Sequence, residues 1–248
     1  MVHIKTKDEI ELMRKSNRLV AKMLDKLGKM VKPGLTTAEL DSAAEQYILK
    51  NGAIPTFKGY AGYPACICAS VNDEVVHSIP GKRVLKDGDI ISIDAGVKLN
   101  GFCGDATITV PVGQISKEAA KLIKVTSRAL ELGIAKAIPG NRIGDISNAI
   151  QTFVESQGFS IVRDFVGHGI GRDMHEEPQV PHFGRPGTGP VLQEGMVIAI
   201  EPMVNAGAYK LRILDDGWTA VTADGMLSAQ FEHTVAITSK DPDVLSKL

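Results

Sequence analysis

Aromatic residues are scarce, at 5% of 248 residues, with a single tryptophan and four tyrosines. Any cluster of them beside a polar motif is therefore a candidate binding wall. Cysteine is scarcer still. Cys66, Cys68 and Cys103 form no C-x-x-C pair, which argues against zinc knuckles and a disulfide framework and favours a reducing compartment. No run of about 18 uninterrupted apolar residues occurs, so no membrane-spanning helix is expected. The opening stretch "MVHIKTKDEIELMRKS" has no apolar core of a secretory signal. Net charge is −1, too small to draw the chain to nucleic acid or a membrane surface. The expectation is a cytoplasmic protein without nucleic-acid specificity. At 44% hydrophobic residues, the chain can bury one large core or two small ones.

An internal repeat organises the chain. Residues 7–30 read as an amphipathic helix with Ile10, Met13, Val20, Leu24 and Leu27 on one side. In "VKPGLTTAELDSAAEQYILKNG" (31–52), Thr36 and Glu39 make a capping box and Gly52 a stop. A third helix is expected over about 116–137, followed by "AIPGNRIGDISNAIQTFVESQG" (137–158). This last stretch matches 31–52 at an offset of 106: Pro33 with Pro139, Gly34 with Gly140, Leu40 with Ile146, Gly52 with Gly158. "LKDGDIISID" (85–94) then matches "LQEGMVIAIE" (192–201) at an offset of 107, which places Asp94 on Glu201. "DATITV" (105–110) resembles "EHTVAI" (232–237), with Asp105 on Glu232. Acids are depleted in strands, so matched carboxylates in β-type runs point to a real duplication. Two α+β halves, about 1–112 and 113–248, should pack about a pseudo-twofold axis as one catalytic domain over 1–248.

The stretch "GDIISIDAGVKLNGFCGDATITV" (88–110) carries the chemistry. Asn100-Gly101 between two β-type runs predicts a two-residue hairpin turn. Asp94 then faces Thr107 and Asp105 faces Gly96. Alternation puts Ser92, Asp94, Gly96, Asp105, Thr107 and Thr109 on one polar face, with Gly96 leaving an empty place beside the acids. Ile91, Ile93, Ala95, Ile108 and Val110 take the apolar face. Two aspartates so close repel, and one protonates unless a cation intervenes. No paired D-T-G motif supports an aspartic-protease dyad. His168, set between glycines in "VGHGIG" (166–171), adds a nitrogen donor. Four carboxylates and one imidazole suit two divalent ions about 3.5–4 Å apart rather than one zinc. Manganese, iron, cobalt or zinc fit such donors better than copper(I).

"SIDAGVKLNGFCGDAT", "VGHGIGRDMHEEP", "AIEPM" and "FEHT", with "IKTKDEIELMRKS", "VVHSIP" and "DDGW", resemble the signatures of type I methionine aminopeptidases over essentially the whole chain. The resemblance implies the pita-bread fold, a curved antiparallel sheet covered by helices, around a dinuclear metal site. It implies Asp94, Asp105, His168, Glu201 and Glu232 as ligands, with Asp105 and Glu232 bridging the ions. Glu201 would also move the proton of an attacking water, and His77 and His175 would hydrogen-bond the scissile amide. Phe57, Tyr60, Tyr63, Cys68, Met174 and Trp218, with His77 and His175, would bind the substrate. His3, His182 and His233 are read as structural. The implied substrates are nascent polypeptide N-termini with a small second residue. The implied state is a monomer without membrane attachment, with room for ribosome association and for a monovalent cation beside the two divalent ions.

Some positions depart from the family pattern. Met174 stands where a bulkier aromatic is frequent, Ser78 where "HGIP" has glycine, and Phe57 where a smaller residue is common. These bear on pocket shape and inhibitor preference rather than on the reaction. The zinc-binding N-terminal extension of some type I enzymes and the long insertion of type II enzymes are both missing, which fits the short bacterial form. Two other readings compete: a proline-specific peptidase of the same fold, which would carry a further N-terminal domain, and a non-catalytic binding protein, which would have lost metal ligands.

Overall fold

A computed structural model describes residues 2–248. Four helices carry the apolar stripes: α1 (Lys7–Met30), α2 (Thr37–Lys50), α3 (Lys117–Ile134) and α4 (Ile143–Ser156). The Thr36–Glu39 capping box forms as the spacing predicts. Its counterpart at α4 keeps half of it, the Asp145 carboxylate accepting from the Arg142 N–H at 2.7 Å. Among the described residues no helix is long and apolar enough to cross a membrane. The helices cover a nine-stranded antiparallel sheet. Its spatial order is Ile54–Pro55, Ile90–Leu99, Phe102–Pro111, Glu232–Ala236, Val197–Ile200, Gly167–Gly169 and Glu176–Val180. Ile67–Val71 adds to Ile90–Leu99, and Asp243–Val244 to Glu232–Ala236.

The hairpin register is the one the turn residues predict. Asp94 pairs with Thr107 and Gly96 with Asp105, with no bulge over ten pairs. Asn100 (φ 53°) and Gly101 (φ 82°) are both left-handed, as a type I′ turn requires. Ile91, Ile93, Ala95 and Val97 face α1 and α2 in one apolar core. A second core gathers α3, α4 and the strands of the other half.

Equivalent hydrogen bonds establish the pseudo-twofold relation. The Gly34 N–H donates to Leu85 O, and the Gly140 N–H to Leu192 O. The Val112 N–H donates to Asp89 O, and the Ile237 N–H to Met196 O, both at 2.8 Å. This last pair corrects the repeat alignment: Val112 corresponds to Ile237, an offset of 125, so Thr107 corresponds to Glu232 and Asp105 to Gln230. Thr234 Oγ1 donating to Asp105 O and Thr109 Oγ1 donating to Gln230 O are the matching contacts. Matching acid to acid had slid the strands by two residues. A two-residue slip preserves side-chain parity, so the faces are unaffected. Thr107 pairs with Glu232 directly across the junction of the halves, on the pseudo-axis itself.

Helix α1 backs the hairpin that carries Asp94 and Asp105. It crosses the hairpin at Gly104, where a β-carbon would stand 2.6 Å from Asn17 N and 2.7 Å from the Ser16 carbonyl carbon. That approach lets Asn17 Oδ1 accept from the Asp105 N–H at 3.2 Å. Gly104→Ala is therefore expected to cost about 1–3 kcal/mol through overpacking against backbone. At about 2–4 °C per kcal/mol for a chain of this size, the thermal midpoint should drop by several degrees. An unchanged midpoint would show that the helix is free to lift.

Candidate metal centre

A cavity of about 300 Å³ is lined by both halves. On its floor are Asp94, Asp105, His168, Glu201 and Glu232; on its walls are Phe57, Tyr60, Tyr63, Cys68, His77, Met174, His175 and Trp218. The chain thus brings together every site residue singled out from its sequence. Val76, Asp164, Phe165, Val166 and Gln230 also line it. His3, His182 and His233 do not.

Each carboxylate is positioned by its strand. Asp94 and Asp105 point up from the polar hairpin face. Glu201 follows Val197–Ile200 directly, and its N–H donates to His182 Nε2 at 3.1 Å. Glu232 opens the next strand and accepts from Thr107 Oγ1 at 2.8 Å. His168 sits within a short strand, Gly167–Gly169, not in an open glycine loop. Its glycine neighbours are needed for close packing: β-carbons there would stand 2.3 Å from Ala199 O and 2.2 Å from Glu177 O. The place left by Gly96 is not empty either. Thr56, Phe57 and Met174 reach within 2.2–2.9 Å of where its β-carbon would be, so this glycine admits the pocket's own wall.

Protein donors satisfy only part of the floor. Asp94 Oδ1, Asp105 Oδ1 and Glu232 Oε1 are buried and have no hydrogen-bond partner. His168 Nδ1 lies 2.9 Å from Gly169 O, which places the ring proton there and leaves Nε2 a bare acceptor. That lone pair faces Glu201 Oε1 at 3.6 Å and Asp105 Oδ2 at 3.7 Å, acceptors facing acceptors beyond hydrogen-bond length. Donor atoms of Asp105, His168 and Glu232 lie within 4.8 Å of one another. A hard, oxygen-rich set with one imidazole suits a divalent metal.

The electrostatics agree. Burial pushes the Asp94 carboxyl up to about 7. Burial, with neighbouring carboxylates, raises Asp105, Glu201 and Glu232 well above the ordinary range. Burial drives His77 and His168 down to about 4 and His182 to about 3, so all three are neutral at pH 7. A carboxyl whose folded pKa exceeds its unfolded value takes up protons on folding. It stabilises the fold below the unfolded pKa, and that contribution fades as pH rises through the folded one. The buried histidines act oppositely, but their effect is complete above about 6.5. Between pH 7 and 8 the carboxylates therefore dominate. The metal-free protein should lose thermal stability over that interval, and the metal-saturated protein should not. A flat midpoint after chelation would contradict this.

Two further groups, Gln230 and Phe165, and one contact of Tyr60 went unnoticed in the sequence. Gln230 Nε2 donates to Glu201 Oε2 at 3.2 Å; it lies two residues before Glu232, which by alternation gives it the same face. Phe165 packs edge-on against His77, ring centroids 5.0 Å apart. Tyr60 Oη hydrogen-bonds His175 Nδ1 at 2.9 Å, which gives it a positioning task besides wall-building. His77 itself holds a left-handed φ of 59°, a conformation worth about 1–3 kcal/mol of strain that is typical of functional positions.

Two duplicated halves closing on a buried carboxylate–histidine cluster define a metal-dependent hydrolase site, and the chain belongs to metallopeptidase family M24, whose profile matches residues 11–239. Within that family it is 57% identical to the methionine aminopeptidase of Clostridium perfringens, over 99% of each chain. It is 55% identical to methionine aminopeptidase 1 of Bacillus subtilis, over 100% of each. The crystal structure of methionine aminopeptidase from Rickettsia prowazekii superposes with a TM-score of 0.98 at 42% identity, covering 99% of this chain and 100% of that one. The architecture is the pita-bread fold.

Proposed function

We propose that this chain removes the N-terminal methionine from polypeptides whose second residue is small. One observation carries the reading: a narrow, largely apolar cavity ends on the carboxylate–histidine floor. Phe57, Tyr63, Cys68, Met174 and Trp218 suit a single flexible thioether side chain. Tyr63 and Trp218 meet edge-on at 5.1 Å, which closes the far wall. The substrate's free α-amine would sit by Asp94 and its metal, which limits cleavage to the first residue.

Asp94, Asp105, His168, Glu201 and Glu232 would hold two divalent ions, with Asp105 and Glu232 shared between them; manganese, iron, cobalt or zinc suit this set. When bound, the ions polarise the scissile carbonyl and acidify a water near neutral pH. Glu201 receives the proton of the attacking water and passes it to the leaving amine. Gln230 keeps one of its oxygens engaged, and His182 fixes its backbone. His77, neutral at pH 7, hydrogen-bonds the scissile amide. His175, held by Tyr60 at the rim, stabilises the developing oxyanion. On this reading the substrates are nascent polypeptides, met in the cytoplasm by a monomer that can act beside the ribosome.

Release of methionine from Met-Ala-Ser and Met-Leu-Ser with added manganese or cobalt tests the reading. The first should be cleaved at least about a hundredfold more efficiently, because a branched second side chain meets the rim instead of fitting beside His77 and His175. Equal cleavage of both, or cleavage of X-Pro peptides alone, would overturn it.

A further inference from the structure

Behind His175, on the side away from the cavity, lies an ion pair with no part in the chemistry above. Lys5 Nζ contacts Glu176 Oε2 at 2.6 Å, with side-chain exposures of only 5% and 10%. Ion pairs on protein surfaces need no function, but burying both charges is costly unless the geometry is well satisfied. Here it is. Lys5 Nζ also donates to His3 O at 3.1 Å, and the Lys5 N–H to Gly195 O at 2.8 Å. The second oxygen of Glu176 receives the Asp173 N–H at 3.4 Å. Burial alone would raise the Glu176 carboxyl, yet Lys5 and the Asp173 N–H hold it below its ordinary value.

Two glycines are shaped to this contact. A β-carbon at Gly171 would stand 2.4 Å from Glu176 Oε1 and 2.7 Å from Lys5 Cε. One at Gly195 would stand 2.6 Å from Ile4 Cγ2. The segment 3–5 is thus seated against the second half. The turn 171–176 folds around the Glu176 carboxylate, closed by the Gly171 N–H donating to Asp173 O at 3.1 Å. That turn delivers Met174 and His175 to the cavity, where the His175 ring lies 4.5 Å from the His168 ring.

We infer that Lys5 is a positioning residue: through Glu176 it sets the turn that aims His175 at the scissile carbonyl. The inference rests on the reading of His175 proposed above. Its action is mechanical. With the ammonium removed, the carboxylate turns outward to water, releases the Asp173 N–H, and the turn relaxes. Misplacement of a catalytic group by about 1 Å costs up to about a hundredfold in rate.

The test compares manganese-loaded wild type with Lys5→Met, Lys5→Arg and the double variant Lys5→Met/Glu176→Met. Lys5→Met should lower kcat on Met-Ala-Ser by about ten- to a hundredfold. KM should stay within about twofold and metal content should be unchanged. Lys5→Arg should restore part of kcat. The double variant, with neutral groups of similar volume, folds without an unpaired charge; its kcat should stay low because the turn has lost its anchor. In the Lys5→Met protein loaded with diamagnetic zinc, the ¹H–¹⁵N correlation of the His175 imidazole should move while that of His77 stays in place. Wild-type kcat in either Met-bearing variant, loss of metal together with kcat, or equal movement of both imidazoles would overturn the inference. The imidazole readout needs no turnover. It therefore separates failure of this inference from failure of the peptidase reading, which wild-type activity on Met-Ala-Ser tests directly.

Discussion

Asp105→Asn should lower kcat/KM on Met-Ala-Ser by at least about a thousandfold and release bound metal. The substitution keeps the side chain's shape. It also keeps both backbone contacts of residue 105, the N–H to Asn17 Oδ1 and the carbonyl oxygen to Thr234 Oγ1, so the strand should stay in register. What it removes is a charge that two ions would share. The three remaining carboxylates no longer balance two dications. The Lewis-acid contribution at stake is several kcal/mol, and each 1.36 kcal/mol is tenfold in rate. The same change relieves repulsion in the metal-free protein, because Asp105 faces Glu232, Asp94 and Glu201 in a buried site. Asp105→Asn should thus be more stable than the parent after chelation and less active when loaded. Elemental analysis and thermal unfolding read both effects. Two tightly bound ions persisting in the variant would refute the shared ligand.

His175→Ala should show the opposite combination. Its kcat should fall by about a hundred- to a thousandfold, the usual cost of deleting one donor to a developing oxyanion, with metal content unchanged. The ring is beside the metal floor, 4.5 Å from the His168 ring, yet its Nδ1 is committed to Tyr60 Oη. Partial burial at the cavity rim lowers its pKa, so at neutral pH it offers a neutral hydrogen bond and no charge. Substrate affinity should change little, because the methionine side chain is gripped elsewhere. Loss of metal in this variant would move His175 into the ligand set.

Much of this arrangement is readable along the chain because its signals are local. The Asn100-Gly101 turn determines the hairpin register, and with it the face shared by Asp94 and Asp105. The capping box at Thr36 and the Pro-Gly turns mark the duplicated helices. What escaped depends on pairing between distant segments. The true counterpart of Asp105 is Gln230, not Glu232, and only the ladder between the halves reveals it. A search that rewards matching acids is drawn two residues off and still keeps the correct face. The Lys5–Glu176 pair, 171 positions apart, leaves no periodic trace. Gly96 looks like an opening in the sequence; packing shows that neighbouring atoms occupy its missing side chain.

The Thr107–Glu232 pair on the pseudo-axis bears on descent. In two identical half-chains related by an exact twofold, every off-axis donor would occur twice and the on-axis position would face its own copy. Such an ancestor could present only an even number of metal ligands, two hydroxyls or two acids at the junction, and either no histidine or two. A single chain holding both copies is free of that restriction. One copy could hold threonine where the other holds glutamate, glutamine where the other holds aspartate, and a histidine with no twin. An odd set of donors, such as the five proposed above, is open to a single chain and closed to a symmetric dimer of its halves.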